Sequence, residues 1–142
     1  MSNQTIKIVI PVLLLLHGLG HGGAIGALIW IHYRPETDTG GWRVARSWLF
    51  ASLATQAAMV IAIIFWALSA VGFVAASMSF WEILVPGEVW RQLALGSSVV
   101  STLGLVLFLG TWPAFNTLAA LAVNIAVFIT QLWLHWPSRG LS

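Results

Sequence analysis

Apolar residues run through this chain in four long blocks with short polar punctuation between them. The blocks cover about 6–32, 46–79, 88–110 and 114–136. Each reaches the roughly 20 residues that a helix needs to cross a bilayer. The second is longer and is expected to tilt or to protrude. The links at 33–45, 80–87 and 111–113 are short, and short links make sequential helices antiparallel neighbours. The pattern therefore predicts an all-α integral membrane protein. Its four transmembrane helices form an up-down-up-down antiparallel bundle, a single domain over residues 1–142.

Punctuation fits these boundaries. Pro35 follows the first block, Pro86-Gly87 separates the second from the third, and Pro137 follows the fourth. Pro113 suits the first turn of the fourth helix, where a missing N–H costs nothing. Pro11 falls in the early turns of the first helix and is expected to tilt it. The loop 36–41 is the only clearly polar stretch and is expected to be the most mobile. Tryptophan gives independent support, because its ring is apolar and its N–H seeks a polar partner at the membrane surface. Trp30, Trp42, Trp48 and Trp112 are expected at one face, Trp81, Trp90, Trp133 and Trp136 at the other, and only Trp66 at mid-span.

Composition sharpens the class. Apolar residues make up 59% of the chain and charged residues 7%, against about 25% charged in soluble domains. The net charge of +2 does not indicate nucleic-acid binding. The six basic residues, Lys7, Arg34, Arg43, Arg46, Arg91 and Arg139, lie at predicted helix ends and form no basic stripe. Lys7 before an apolar run resembles a signal peptide, but the run is long enough to span and is read as the first membrane helix. Three basic residues fall on each face, and the cluster in the first loop points to termini outside. There is no cysteine, which excludes disulfides, thiolate metal sites and covalent c-type haem. A multi-pass protein of the bacterial cell membrane is the expected localisation.

The candidate chemistry lies inside the first block. His17 and His21 stand one turn apart in a charge-free stretch that also holds five glycines. Ionisable groups at membrane depth are costly, so they mark candidate function. Counting about 1.5 Å per residue brings Gln56, Ser97, Ser98, Ser101, Thr102 and Asn124 near the same level. Thr117, Asn124 and Gln131 recur every seven residues, so the fourth helix has one polar face. The expected cofactor-binding layer is His17, His21, Gln56, Ser101 and Asn124, with polar groups from every helix. Gly18, Gly22 and Gly26 form a small-xxx-small stripe suited to close helix contact.

Several chemistries are disfavoured. A bis-histidine haem needs ligands on opposite sides of the ring, and His17 and His21 share one helix. His32 and His135 sit at opposite membrane edges. Catalytic zinc needs three protein ligands, and no third ligand lies at matching depth. Glu36, Asp38, Glu82 and Glu88 all fall in loops or at helix ends, so no proton relay is indicated. No Gly-x-Ser-x-Gly elbow or phosphate loop is present. The expectation is a non-enzymatic accessory or structural subunit of a larger membrane complex. It would meet other membrane subunits, or a second copy of itself, through the Gly18/Gly22/Gly26 face. The alternatives are a site for a cofactor, pigment, quinone or metal around His17 and His21, or a small transporter or channel. The sequence requires no cofactor, although a tetrapyrrole or quinone is compatible with it.

Overall fold

The computed structural model describes residues 2–34 and 38–136. Its elements are α1 (Asn3–Tyr33), α2 (Thr55–Phe80), a 3₁₀ turn (Gly87–Val89), α3 (Trp90–Leu107) and α4 (Ala114–Phe128). A π-helical turn, Ile129–Trp133, extends α4. The described residues are all-helical, with no strand. By length and composition, α1, α2 and α4 with its π turn are apolar enough to cross a membrane. The 18-residue α3 is less apolar because it carries Ser97, Ser98, Ser101 and Thr102. All three of those serines are buried.

The helix boundaries correct the sequence reading at one important place. The second helix starts at Thr55 and not near Arg46. The stretch between them is apolar but runs as turns. Ser47 Oγ accepts a bond from the Phe50 N–H, and the Trp48 indole donates to the Val106 carbonyl. Arg43 N–H also donates to the Thr111 carbonyl, which ties the first loop to the end of α3. Hydropathy cannot separate an apolar helix from an apolar turn, and Ala54 at the cap position provides no side-chain hydrogen bond to mark the start. Of the polar loop, Glu36 and Thr37 lie outside the described residues, as do Pro35, Pro137 and Arg139.

The helices pack in chain order: α1 along α2, α2 along α3, and α3 more thinly along α4. Glycine sets the close approaches. A Cβ on Gly18 would lie 2.9 Å from the Ala70 carbonyl oxygen, and one on Gly104 would lie 2.9 Å from the Phe65 Cβ. Gly22 and Gly26, in contrast, meet nothing within 4 Å. The expected glycine stripe is thus divided, with Gly18 packed against α2 and the other two on open surface.

Pro11 is absorbed inside α1. Proline has no N–H, so the Lys7 carbonyl loses its usual partner four residues on. The Trp81 indole N–H donates to that carbonyl at 3.1 Å. The next helical turn repeats the device, with Ser77 Oγ donating to the Pro11 carbonyl at 2.8 Å. The end of α2 is therefore fastened to carbonyls near the start of α1.

Large apolar side chains cover much of the surface, and several polar ones are buried. Leu13, Leu16, Val71, Phe115 and Leu118 are exposed, while His21, Ser69, Ser98, Ser101 and Asn124 are buried. The interior contains two apolar clusters. One gathers Ala24, Leu28, Ala62, Trp66, Leu105 and Ala120. The other gathers Leu14, Phe73, Phe80, Trp90 and Ala94. Two tryptophans depart from the expected surface belts: Trp90 packs on Phe80, and Trp112 is buried against Trp66.

Two outcomes test this packing. Trp81→Phe should cost about 1 kcal/mol, the net worth of one hydrogen bond. The cost should vanish in a Pro11→Ala background, where the helix can bond Lys7 itself, and a double-mutant cycle of unfolding in detergent reads the difference. Gly18→Ala should lower the unfolding midpoint. Gly22→Ala should hold or raise it, because alanine favours a helix by about 1 kcal/mol where space allows.

Candidate functional site

The level between the two apolar clusters is polar on three helices. The His17 and His21 rings meet edge to face with centroids 5.0 Å apart. Across from them, α4 presents Asn124, which is fully buried. The Asn124 Oδ1 is 3.1 Å from His17 Nε2. An amide oxygen can only accept, so the His17 proton in this bond sits on Nε2. The Asn124 Nδ2 donates to Ser101 Oγ at 2.8 Å and to Thr102 Oγ1 at 3.1 Å. Both amide hydrogens and the oxygen are therefore engaged.

The chain continues from Ser101 to His21. Ser101 Oγ and His21 Nε2 are 2.9 Å apart. Ser101 already accepts from Asn124, so its own hydrogen is available to His21 Nε2. That arrangement puts the His21 proton on Nδ1. In either tautomer His21 Nδ1 has no partner, and the Nε1 atoms of Trp66 and Trp112 are likewise buried without one. Trp112 stands next to His21, with ring centroids 5.1 Å apart.

The structure brings together His17, His21, Ser101 and Asn124, with Thr102 added. It does not bring in Gln56, which is exposed in the first turn of α2. The later start of α2 is the reason, since it moves Gln56 from mid-span to a helix end. Nor does α2 supply another polar side chain to this network. Ser69 bonds the Phe65 carbonyl of its own helix. What α2 contributes is Phe73, edge-on to His17 at 4.5 Å and stacked on His21 at 6.1 Å. Of the other histidines, His32 is exposed beside Tyr33, and His135 Nδ1 lies 3.2 Å from the Gln131 carbonyl oxygen.

The polar face of α4 is inward throughout, with Thr117, Asn124 and Gln131 all buried. The π turn serves the last of these. Its wider winding moves the Leu134 N–H to the Ile129 carbonyl at 3.0 Å, and Thr130 Oγ1 donates to the Ala126 carbonyl at 2.7 Å. Gln131 Nε2 donates to the Trp136 carbonyl at 2.8 Å. Phe73 and Trp112, which no sequence pattern marks as neighbours of the histidines, complete the surroundings of the pair. Spacing gives no signal for a ring that arrives from another helix.

A cavity of about 200 Å³ opens beside this network on the seam between α1 and α4. Its walls include His17, Gly20, His21, Trp112, Phe115 and Asn116. Ser101 is fully buried and does not line it. A Ser101–His21 pair with no access to that space and no carboxylate behind the imidazole is poorly placed for nucleophilic catalysis. Among the described residues, no group of three or more His, Asp or Glu converges as a metal site. Fold and site together define an all-helical protein with three potential membrane helices and a buried His–Asn–Ser network. No family model, no curated protein and no solved structure matches the chain.

The network predicts unequal costs. Asn124→Val should destabilise the protein by about 1–3 kcal/mol, because it leaves buried partners unsatisfied. Gln56→Ala should stay within about 0.5 kcal/mol of wild type, as exposed positions do. Reversible unfolding in mixed micelles measures both.

Proposed function

We propose that this chain is a multi-pass integral membrane protein with four antiparallel spanning helices, and that it acts as a non-enzymatic accessory subunit in a larger membrane assembly. We assign it to a bacterial cell membrane on architecture alone, as a small four-helix protein with minimal loops. Support for insertion comes from the outer surface, where Leu13, Leu16, Val71, Phe115 and Leu118 are exposed while His21, Ser98, Ser101 and Asn124 are buried. Lipid accepts the first set without cost and gives the second no hydrogen bonds. Support for the antiparallel order comes from the contacts of late α2 with early α1, at Trp81–Lys7 and Ser77–Pro11.

One observation carries the assembly role. Gly18, Gly72 and Gly104 each sit against a neighbouring helix so closely that a Cβ would collide. Gly22 and Gly26 continue the Gly18 row, yet a Cβ on either meets open space. Glycine in a helix interior costs about 1 kcal/mol relative to alanine. A close-packing row that continues past its partner is accounted for by a second partner, either another subunit or another copy of this chain. Helix association in membranes depends on such small-residue faces.

Substitution at these positions separates assembly from folding. The monomer leaves room for a larger side chain, so Gly22→Ile and Gly26→Ile should fold normally. The wild type in mild detergent should run as a defined complex heavier than the 15.4 kDa monomer. The variants should release the monomer. A wild type that is monomeric and carries no stoichiometric membrane partner would reject the proposal.

A further inference from the structure

We propose that the cleft between the first loop and the start of α4 binds the headgroup of an anionic phospholipid, with Arg43 on the phosphate and the first methylenes of the acyl chains along Leu109 and Leu118. The cleft has a volume of about 550 Å³ and is walled by Gly41, Arg43, Leu109, Trp112, Thr117 and Leu118, among others. Ligand clefts usually hold about 300–1,000 Å³. The site presupposes the membrane insertion proposed above. It uses no residue of α1, so lipid binding and assembly through Gly22 and Gly26 can fail independently.

Backbone contacts hold the arginine at this cleft. The Arg43 N–H donates to the Thr111 carbonyl at 2.9 Å. Two residues earlier, a Cβ on Gly41 would lie 3.6 Å from the Pro113 Cβ. The loop is therefore seated on the link between α3 and α4, while the Arg43 side chain stays exposed. On that link Gly110 has a φ of +87°, and a Cβ there would meet nothing within 4 Å. The turn out of α3 thus leaves the opening clear. Asp38, an acid of the same loop, accepts from the Gly40 N–H and does not line the cleft.

The walls specify the ligand's chemistry. Among the described residues, Arg43 is the only charged one lining the cleft. Its planar fork of N–H groups matches a phosphate. A zwitterionic lipid also carries an ammonium group, which Arg43 would repel and which no Asp or Glu of the cleft could receive. A headgroup that carries only the negative charge fits. The Thr117 hydroxyl is spent within α4, on the Pro113 carbonyl at 3.2 Å. Beyond it the walls are apolar, and Leu109 and Leu118 are both exposed. Leu118 lies about 6 Å along α4 from Ala114, at about 1.5 Å per residue. A cation beside apolar walls suits a phosphate joined to acyl chains, whereas free phosphate would leave those walls wet. Basic pockets beside membrane helices select such headgroups.

The test is native mass spectrometry of the full chain in mild detergent with equimolar dioleoyl-phosphatidylglycerol and dioleoyl-phosphatidylcholine. The wild type should retain phosphatidylglycerol in preference to phosphatidylcholine. Arg43→Gln should cut that preference about tenfold, as expected for one lost charge-assisted hydrogen bond. Arg46→Gln removes another exposed charge from the same loop but none from the cleft, and it should keep the preference. Ala114→Trp fills the cleft from an exposed position. It should lose the bound lipid while keeping the helical circular dichroism of the wild type. Excess inorganic phosphate should not displace the lipid. Equal retention of the two lipids, equal effects of the two arginine variants, retention by Ala114→Trp, or displacement by inorganic phosphate would each overturn the proposal. Flotation with phosphatidylcholine vesicles scores insertion separately. Normal flotation without the lipid preference overturns the cleft alone, and failure to float overturns both readings.

Discussion

The side-chain amide of Asn124 is the group on which the interior depends. It is fully buried, and it reaches His17 on α1 and both Ser101 and Thr102 on α3. Water would make these bonds trivial, because every group could find another partner. In hydrocarbon each unsatisfied group costs several kcal/mol. The gain from each bond is smaller, about 0.6 kcal/mol on average between membrane helices. The network therefore acts less as glue than as a constraint. It selects the one register of α1, α3 and α4 in which all these groups meet, and other registers would strand them.

Apolar packing surrounds this level without crossing it. One cluster holds Ala24, Trp66, Leu105 and Ala120, and the other holds Leu14, Phe73 and Ala94. Along α1, α3 and α4 the polar residues fall between the members of these two clusters. Phe73 and Trp112 close the histidines in with aromatic faces. On the side toward the α1–α4 seam a cavity lies beside them, and His17, His21 and Trp112 are among its walls. The cavity is thus a consequence of how the network is built. Helices packed in chain order touch strongly in the first two pairings, and the α1–α4 junction is bridged by the His17–Asn124 bond.

Much of this was legible in the residues, and the failures have physical causes. Helix number followed from the four apolar blocks, each of which carries one of the helices α1 to α4. The inward face of α4 followed from Thr117, Asn124 and Gln131, because a polar residue every seven positions stays on one side of a helix. The meeting of His17, His21, Ser101 and Asn124 followed from depth alone. Gln56 lies away from the layer because α2 starts at Thr55, a boundary that hydropathy does not mark. Trp112 failed because interface preference describes where a residue's backbone sits and not where its ring turns. The division of the glycine row between Gly18 and Gly22 depends on where α2 crosses α1, and no single-helix pattern encodes that crossing.

Solid-state NMR on the protein in lipid bilayers, with labelled histidine and asparagine, tests the central claim most directly. A contact is expected between His17 Nε2 and the Asn124 side-chain carbonyl, with the His17 proton on Nε2. The Asn124 amide protons should also show no exchange with water. An Asn124 amide that exchanges with water and shows no contact to His17 would contradict that claim.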